Sequence, residues 1–534
     1  MHKIKHISVL FLLPVATGCL LGLAAIPSEY YYLNFIAFIP LLFAADRALM
    51  TKRPVLVFAS QLFISLVVFY LWVFLWVLKI ANMGFLIGFF IVLPFIALVS
   101  PYILLKKKGS KFSAIYFIAA WLSAELVQTY FQMGSPFFNL GNSLGRNPRI
   151  IQWYEYTGAS GGSLWILAAN FLFFSLGKTL LSDRRQLARK SLLAFGVLGA
   201  PIILSLIIHW SYKEKGIAKE VLIIHPSTDC TDVKYRINIY QLMDIYLKIM
   251  LPQLSSKTGY VVLPETAITN AGWVADLNNN VVFDHFREAT AAFPNLKLIT
   301  GAIIYESIPD VTRIKGYQKN PGIRYSGKYK AWYYTYNSAL FIEKYRPVQM
   351  RTKDGLVPYQ EYAPYPRILP RLVPVGIDFQ FSKRLKNSIV FTDENRVKTA
   401  SLICYELAYG NLFAKAARNG AQAFFVLLNE GWYIDVPHVK FQFLQLSVIK
   451  AIENRRDIAH SSNMGISAFI NQRGDVVAKN ESKNPSFLKH EIRMNKKQTV
   501  AATMGNYIEV AALFTITLLM IGKLIRNSSL RKKI

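Results

Sequence analysis

The chain has 534 residues, 53% of them hydrophobic, a mean hydropathy of +0.29, and 61 Lys and Arg against 31 Asp and Glu, a formal net charge of +30. That is too apolar for an ordinary soluble protein and long enough for two or three domains. Cys19, Cys230 and Cys404 form no disulfide or metal-ligand spacing, which argues against a disulfide scaffold or a zinc module.

Apolar runs of bilayer length, roughly 20 residues, recur near 7–27, 32–46, 55–79, 84–105, 112–131, 161–181 and 191–211, with an eighth near 503–525. The second is short and the fifth carries Glu125. "MHKIKHISVLFLLPVATGC" has features of a signal peptide, and "ATGC" of a lipoprotein cleavage box. The apolar "LLGLAAIP" that follows, and the later spans, favour an uncleaved helix, with Cys19 as a small residue at a helix contact. Basic residues collect at one set of span ends: Lys3 and Lys5, Arg47, Lys52 and Arg53, Lys106, Lys107, Lys108 and Lys111, Lys178, Arg184, Arg185, Arg189 and Lys190, and Lys523, Arg526, Arg531, Lys532 and Lys533. The opposite short loops hold only Lys79, Arg146 and Arg149. The positive-inside rule then places both termini in the cytoplasm and the segment between the last two spans outside. The expected domains are 1–211 (membrane), 212–502 (extracytoplasmic) and 503–534 (last span and basic tail). The 212–502 segment is itself basic, which suits anionic lipid headgroups beside a bilayer. Nucleic acid is not expected to meet an outward-facing domain.

Within 212–502, "AKEVLIIHP" (218–226) reads as a buried strand and "NIYQLMDIYLKIMLPQL" (238–254) as a helix, with Ile239, Leu242, Met243, Ile245, Tyr246 and Ile249 on one face. "GYVVLPETAI" (259–268) is a strand that stops at Pro264. "LKLITGAIIYE" (296–306) and "YNSALFIEKY" (336–345) are strands. "VKTASLICYE" (397–406) is a strand, 407–420 a helix ending at a glycine, "AQAFFVLLNEGW" (421–432) a strand, and 441–457 a helix. "ISAFINQRGDVVAK" (466–479) is a hairpin turning near Arg473 and Gly474. This alternation implies a layered α/β fold. Residues 307–335 and 362–395 read as long loops, the kind that often serve as lids or binding segments.

Glu265, Lys353 and Cys404 each stand near the end of an apolar stretch. A carboxylate, an amine and a thiol suit acyl transfer through a covalent intermediate: the carboxylate takes the thiol proton and an ammonium stabilises the oxyanion. A helix starting at 407 would add its dipole beside the thiol. Taken singly, each residue has a plainer reading: the cysteine as core packing, the glutamate as a turn residue, the lysine as solvated. A Cys230–Cys404 disulfide would consume the thiol. With Glu265 and Lys353 available, His438 and His460 read as a loop and a core histidine rather than members of a Cys–His pair.

"LPETAI", "KDGLVPYQEY" and "LICYE", in that order and spacing, resemble the nitrilase superfamily, whose Glu–Lys–Cys triad sits on an αββα sandwich. With the spans, and with "AAWLSAELVQTYFQMGSPFFNLGNSLGRNPRIIQWYEYTG" (119–158), "YNSALF" (336–341) and "SSNMGISAFINQRGDVV" (461–477), nearly the whole chain resembles the apolipoprotein N-acyltransferase family. The resemblance implies an α/β fold class: a polytopic helical bundle of about eight spans carrying an αββα-sandwich domain. It implies Glu265 as general base, Lys353 as oxyanion stabiliser and Cys404 as the nucleophile that becomes a thioester. Glu361 would be the second glutamate, positioning Lys353 and the substrate amine. Tyr405 and Glu406 follow the nucleophile as the family has them, with packing and a helix-start charge as their local alternatives. Asn429, Trp432 and Asn463 are expected to support the site. The implied reaction is ping-pong: a phospholipid acyl chain moves to the thiol, then to the α-amino group of the diacylglyceryl cysteine of a lipoprotein, at the outer face of a bacterial inner membrane. No cofactor or metal is implied, the partners are the two lipids and the bilayer, and a monomer is expected. Two departures, Leu263 where the family often has Trp and Gln360 where it often has Gly, bear on pocket lining. The rival readings are a membrane-tethered amidase that hydrolyses a C–N bond and a non-catalytic scaffold.

Overall fold

The computed structural model describes residues 2–531 except 27–28, 81–83, 183–185, 231–232, 315–321, 359, 363, 366–380, 383–387 and 434–435. Arg184, Arg185, Lys532 and Lys533 of the charge pattern, and much of the expected loop 362–395, lie outside the described residues. The chain forms two units, Met1–Ser211 with Met504–Ile534, and Tyr212–Thr503.

The first unit is helical: α1 (His2–Ala25), α2 (Ile39–Ala48), α3 (Pro54–Ile80), α4 (Gly84–Val99), α5 (Tyr102–Lys107), α6 (Ser113–Tyr130), α7 (Tyr154–Ser182) and α8 (Leu187–Ser211), closed by a helix at Tyr507–Arg531. Among the described residues, Pro54–Val73, Gly88–Lys107, Tyr154–Leu180 and Leu187–Ser211 are long and apolar enough to cross a membrane. Phe11–Ala25 and Tyr507–Gly522 are shorter apolar helices. The expected second span is not one continuous helix. A 3-10 turn, Glu29–Phe35, precedes α2, and ten helical residues rise only about 15 Å against a hydrocarbon core of about 30 Å. α6 carries its carboxylate because Glu125 Oε1 accepts from Trp121 Nε1 at 3.2 Å and from Leu140 N at 2.9 Å. The closing helix packs against α6, and its Glu509 accepts a hydrogen bond from Ser160 of α7.

The second unit holds two sheets. One has β1 (Ile217–His225), β2 (Thr258–Val262), β3 (Lys297–Ile308), β4 (Ile323–Ser326), β5 (Ala331–Ile342), β6 (Gln349–Thr352) and β13 (Ser486–Met494), ordered β13-β1-β2-β3-β5-β4 with β6 on β5. The other has β7 (Phe391–Thr392), β8 (Lys398–Ile403), β9 (Phe424–Leu428), β10 (Ile458–Ser462), β11 (Ser467–Ile470) and β12 (Val476–Asn480), ordered β12-β11-β10-β9-β8-β7. β1, β2 and β3 are parallel, as are β8, β9 and β10. Such strands are buried on both faces, which is why they read as unbroken apolar runs. α10 (Ile239–Met250) and α11 (Val281–Ala289) cover the first sheet through a core that includes Leu242, Tyr246, Phe283, Leu298 and Leu340. α12 (Gly410–Arg418) and α13 (Pro437–Asn454) cover the second, with Phe413 edge-on to Phe424 at 5.1 Å. The sheets meet face to face, as in Tyr260 against Phe425 at 5.3 Å. The layers are therefore α, β, β, α. A short α9 (Val233–Arg236) follows β1.

The expected loop 307–335 is partly sheet. β3 runs to Ile308, β4 pairs with β5, and β5 starts at Ala331, because the aromatic alternation of "AWYYTYN" suits a pleated strand; residues 315–321 lie outside the described ones. The expected strand 259–268 ends at Val262. Pro264 has no N–H, and the chain beyond it follows β3 through Ile268 N to Gly301 O at 3.0 Å.

Candidate active site

Three strand ends converge. Glu265 follows β2, Lys353 follows β6 and Cys404 follows β8. Lys353 Nζ donates to Glu265 Oε1 at 3.0 Å and to Glu361 Oε1 at 2.9 Å. Asn337, in the middle of β5, donates its Nδ2 to the same two oxygens at 2.8 and 3.2 Å. Glu361 Oε2 accepts from Val357 N at 2.7 Å. The Cys404 thiol lies in the field of Glu265, Lys353 and Glu361. Two carboxylates, one ammonium and one thiol thus share a pocket in which Lys353 is 1% exposed.

Burial would lower the Lys353 pKa, but Glu265 and Glu361 outweigh it and hold the amine above the usual lysine range. Burial pushes Glu361 up, against the pull of Lys353. Burial, then the Glu265 charge, holds the Cys404 thiol well above the usual range. At rest the sulfur therefore keeps its proton.

The backbone is strained at both reacting ends. Cys404 has φ +48° and Thr266, beside Glu265, φ +49°. Left-handed conformations of non-glycine residues cost of order 1–3 kcal/mol and persist where surrounding contacts enforce them. At Thr266 the enforcing group is Lys234, fully buried, whose Nζ donates to Thr266 Oγ1 at 3.0 Å and to the Glu265 carbonyl at 3.1 Å. Gly301 is required on the other side: a Cβ there would lie 2.5 Å from Thr266 N and 2.6 Å from Glu265 Cα. At Cys404 the enforcing group is Glu406. Its carboxylate turns inward to Arg351, which donates from both terminal nitrogens at 2.7 Å, and accepts from Ile403 N at 2.7 Å, Asp354 N at 2.7 Å and Gly355 N at 3.3 Å. One side chain thus ties the cysteine turn to the backbone just after Lys353. The helix expected from 407 consequently begins at Gly410, and Cys404–Ala408 is a 3-10 turn, so the dipole expected beside the thiol is displaced along the chain.

Tyr405 is buried, its ring edge-on to Tyr409 at 5.8 Å. Asn429 and Asn463 form a brace: Asn463 Nδ2 donates to Asn429 Oδ1 at 3.0 Å and to the Thr228 carbonyl at 2.8 Å. Leu428, next to Asn429, accepts from Glu265 N at 3.3 Å. Trp432 is 44% exposed; its neighbour Tyr433 lies in the field of Cys404, Glu265 and Glu361. His460 is buried in β10, bonded to Ser447 Oγ at 2.8 Å and held neutral, its pKa lowered to about 3 by burial. His438 lies in α13 rather than in a loop. The three cysteines are free thiols. Asn337, Arg351, Lys234 and Tyr433 were not expected from sequence; Asn337 alone carried a signal, its place in "YNSALF".

A family model for the apolipoprotein N-acyltransferase N-terminal domain matches residues 17–172, and one for carbon-nitrogen hydrolase matches residues 238–502. Apolipoprotein N-acyltransferase of Pasteurella multocida is 23% identical over 99% of this chain and 98% of its own length. That of Chlorobaculum tepidum is 25% identical over 92% of each chain. The crystal structure of Saccharomyces cerevisiae Nit3, of branch 10 of the nitrilase superfamily, aligns with a TM-score of 0.35 at 15% identity, over 52% of this chain and 90% of that one. The first relative matches end to end, and the two family models fall on the helical unit and on the two-sheet unit: the chain belongs to the apolipoprotein N-acyltransferase family of the nitrilase superfamily.

Proposed function

We propose that this acyltransferase moves a fatty acyl chain from a phospholipid to Cys404, and from the Cys404 thioester to the α-amino group of a diacylglyceryl-modified lipoprotein cysteine. The observation that carries the reading is the convergence of Glu265, Lys353 and Cys404 from three strand ends, with Lys353 bonded to Glu265 at 3.0 Å. In the first half-reaction the sulfur attacks the ester carbonyl as Glu265 takes the S–H proton. Lys353 offers the N–H not held by Glu265 or Glu361 to the oxyanion. The C–O bond then breaks, and Glu265 returns the proton to the departing lysophospholipid oxygen. In the second, the amine attacks the thioester, Glu265 takes one N–H proton, the C–S bond breaks, and the proton returns to sulfur. Glu361 orients Lys353 and receives the incoming amine. Glu406 and the Asn429–Asn463 brace hold the turns, Tyr405 packs behind the nucleophile, and Trp432 lies at the rim for substrate.

The apolar helices and the family make this a membrane protein. We infer eight crossings in a bacterial inner membrane, the second made by the broken segment 29–48, with Tyr212–Thr503 on the periplasmic side and the protein acting as a monomer. Two membrane-anchored substrates then meet the site at high effective concentration. The test is intact mass of the full-length protein in detergent after incubation with phospholipid. A fatty-acyl adduct is expected, absent in Cys404→Ser and discharged by a diacylglyceryl-cysteine peptide as an N-acyl product. No adduct, or ammonia release from an amide in place of transfer, overturns the reading.

A further inference from the structure

Four aromatic rings that none of these steps uses gather on an open cavity in the two-sheet unit. Trp273 caps the 3-10 turn Val274–Asn279 and bridges to Tyr305 of β3. Its ring centroid lies 5.8 Å from that of Tyr305, 5.4 Å from that of Tyr329 and 5.7 Å from that of Tyr333 in β5, the last two rings edge-on at 86° and 78°. Tyr305 and Tyr333 meet at 5.6 Å and 83°. The cluster is not a core: Trp273, Tyr305 and Tyr333 are half-buried and Tyr329 is 56% exposed. All four line a cavity of about 610 Å³, a size usual for small-molecule sites, which pair aromatic walls with a few polar groups. The charged residues of its lining are Asp276 and Lys328. Lys328 Nζ stands over the Tyr329 ring, 5.2 Å from its centroid, so one of these rings already takes a cation.

The register of the first sheet relates this cavity to the site. In the β3–β5 ladder Ile303 is opposite Asn337, Tyr305 opposite Thr335 and Ser307 opposite Tyr333. Opposite residues share a face, and alternate residues return to it. Tyr305 and Tyr333 therefore lie on the face from which Asn337 reaches Glu265 and Glu361. At about 3.4 Å per residue, Tyr305 is about 7 Å and Tyr333 about 14 Å along the ladder from Asn337. Tyr305 also packs on the cluster of Ile303, Leu356 and Phe381, together with Tyr362. Leu356 and Tyr362 belong to the loop that carries Lys353 and Glu361.

We propose that this cavity is the headgroup subsite for a phospholipid donor with an ammonium headgroup: the ring faces and Asp276 receive the ammonium and Lys328 the phosphate, while the ester lies at Cys404. The inference rests on the donor being a phospholipid, as proposed above. Aromatic faces attract cations through the ring quadrupole, and one carboxylate and one ammonium at the same cavity match a zwitterion. An anionic headgroup without a cation would meet the negative ring faces and Asp276. The offset from Asn337 leaves room for a glycerophosphate arm between headgroup and scissile ester. The acceptor amine has to reach the thioester itself, so a cation held along the ladder from the site belongs to the donor.

The test compares phosphatidylethanolamine, phosphatidylcholine and phosphatidylglycerol of identical acyl chains on full-length protein in detergent. Thioester formation on Cys404 is followed by intact mass, and lipid retention by native mass spectrometry of the Cys404→Ala protein, which cannot cleave the donor. Both ammonium lipids should be favoured over phosphatidylglycerol by about five- to ten-fold in kcat/KM and in retention, and Trp273→Leu should bring both ratios towards one. The ratios separate recognition from general damage, which slows all donors alike. If Trp273→Leu fails to fold, fluorinated tryptophan at position 273 decides, since it weakens the ring's hold on a cation while keeping its shape; the ratios should fall. Equal use and retention of the three lipids, or ratios that neither change alters, overturns the proposal and leaves the role of Cys404 standing. A dependence on Trp273 seen only when a lysine-bearing lipopeptide discharges the thioester assigns the cavity to the acceptor and also overturns it. Absence of a thioester from every donor sinks the reading of Cys404 instead, and retention by the Cys404→Ala protein then decides the subsite alone.

Discussion

Two buried carboxylate clusters flank Cys404 and are built in opposite ways. On one side Glu406 accepts from both ends of the Arg351 guanidinium and from the backbone N–H groups of Ile403, Asp354 and Gly355. Burial would raise its pKa, but Arg351 and these donors hold it below the usual range. On the other side Glu265 and Glu361 divide one ammonium and one amide between them, and burial pushes Glu361 up. A saturated carboxylate is an anchor with nothing left to give. An under-supplied pair beside a thiol can take up and return a proton. In the mechanism proposed above the first cluster is scaffold and the second carries the chemistry, and the contrast can be broken at several points.

The largest effect is expected from Glu406→Ala. It leaves the Arg351 guanidinium buried without its partner, which costs about 3–5 kcal/mol, and thermal unfolding in detergent should show a catalytic unit that melts early or never folds. A Glu406→Ala protein as stable as its parent but inactive would move Glu406 from scaffold to chemistry. Next comes Lys353→Ala, which should slow thioester formation by about 10² or more in the protein that folds, the cost of losing one oxyanion donor. Lys353→Arg should not restore the rate, because a planar fork does not replace a compact ammonium. Thioester formation at the ordinary rate in either variant removes Lys353 from the chemistry.

The smallest expected effect is on the pH dependence of stability. Glu430, next to Asn429, is raised to about 8 by burial, despite bonds from Ser462 Oγ at 2.8 Å and Ile466 N at 3.0 Å. A carboxyl raised on folding contributes stability below its unfolded value and loses it as pH rises through the folded one. Stability should therefore decline from about pH 5 towards 8, and Glu430→Gln should flatten that decline. Glu406 has the opposite sign: its contribution is present above the unfolded carboxylate range and lost as pH falls through its lowered value. A Glu430→Gln protein with an unaltered slope would assign the decline elsewhere, first to Asp457, which burial raises to about 7.

What could be read from the chain followed the apolar periodicity. β1, β3, β8 and β9 carry the apolar runs, and each lies within four residues of its expected place. β10 was missed because "IAHSS" is polar in composition yet buried throughout; its His460 and Ser462 find partners only once α13 and the Glu430 turn are in place. Arg351 and Glu406 are 55 positions apart, and only the pairing of β5 with β6 and the turn at Cys404 bring them together, so no local pattern marks either as half of an ion pair. Trp432 was expected to support the site, and the turn Glu430–Tyr433 leaves its indole 44% exposed.

The membrane-type unit is discontinuous in sequence: its closing helix comes only after Tyr212–Thr503. That helix supplies Glu509, the acceptor for Ser160, and the surface that packs on α6. During synthesis the whole catalytic unit therefore emerges from the ribosome before the bundle can be completed. Until then the flank of α6 near its buried Glu125 lacks its native neighbour. An arrest or a failed fold anywhere in the two sheets leaves an open bundle with a polar seam, the kind of exposed feature that membrane quality-control proteases can engage. Chain order alone thus makes the maturation of the bundle depend on the catalytic unit, and couples the lifetime of the membrane part to the fate of the part that carries the thiol.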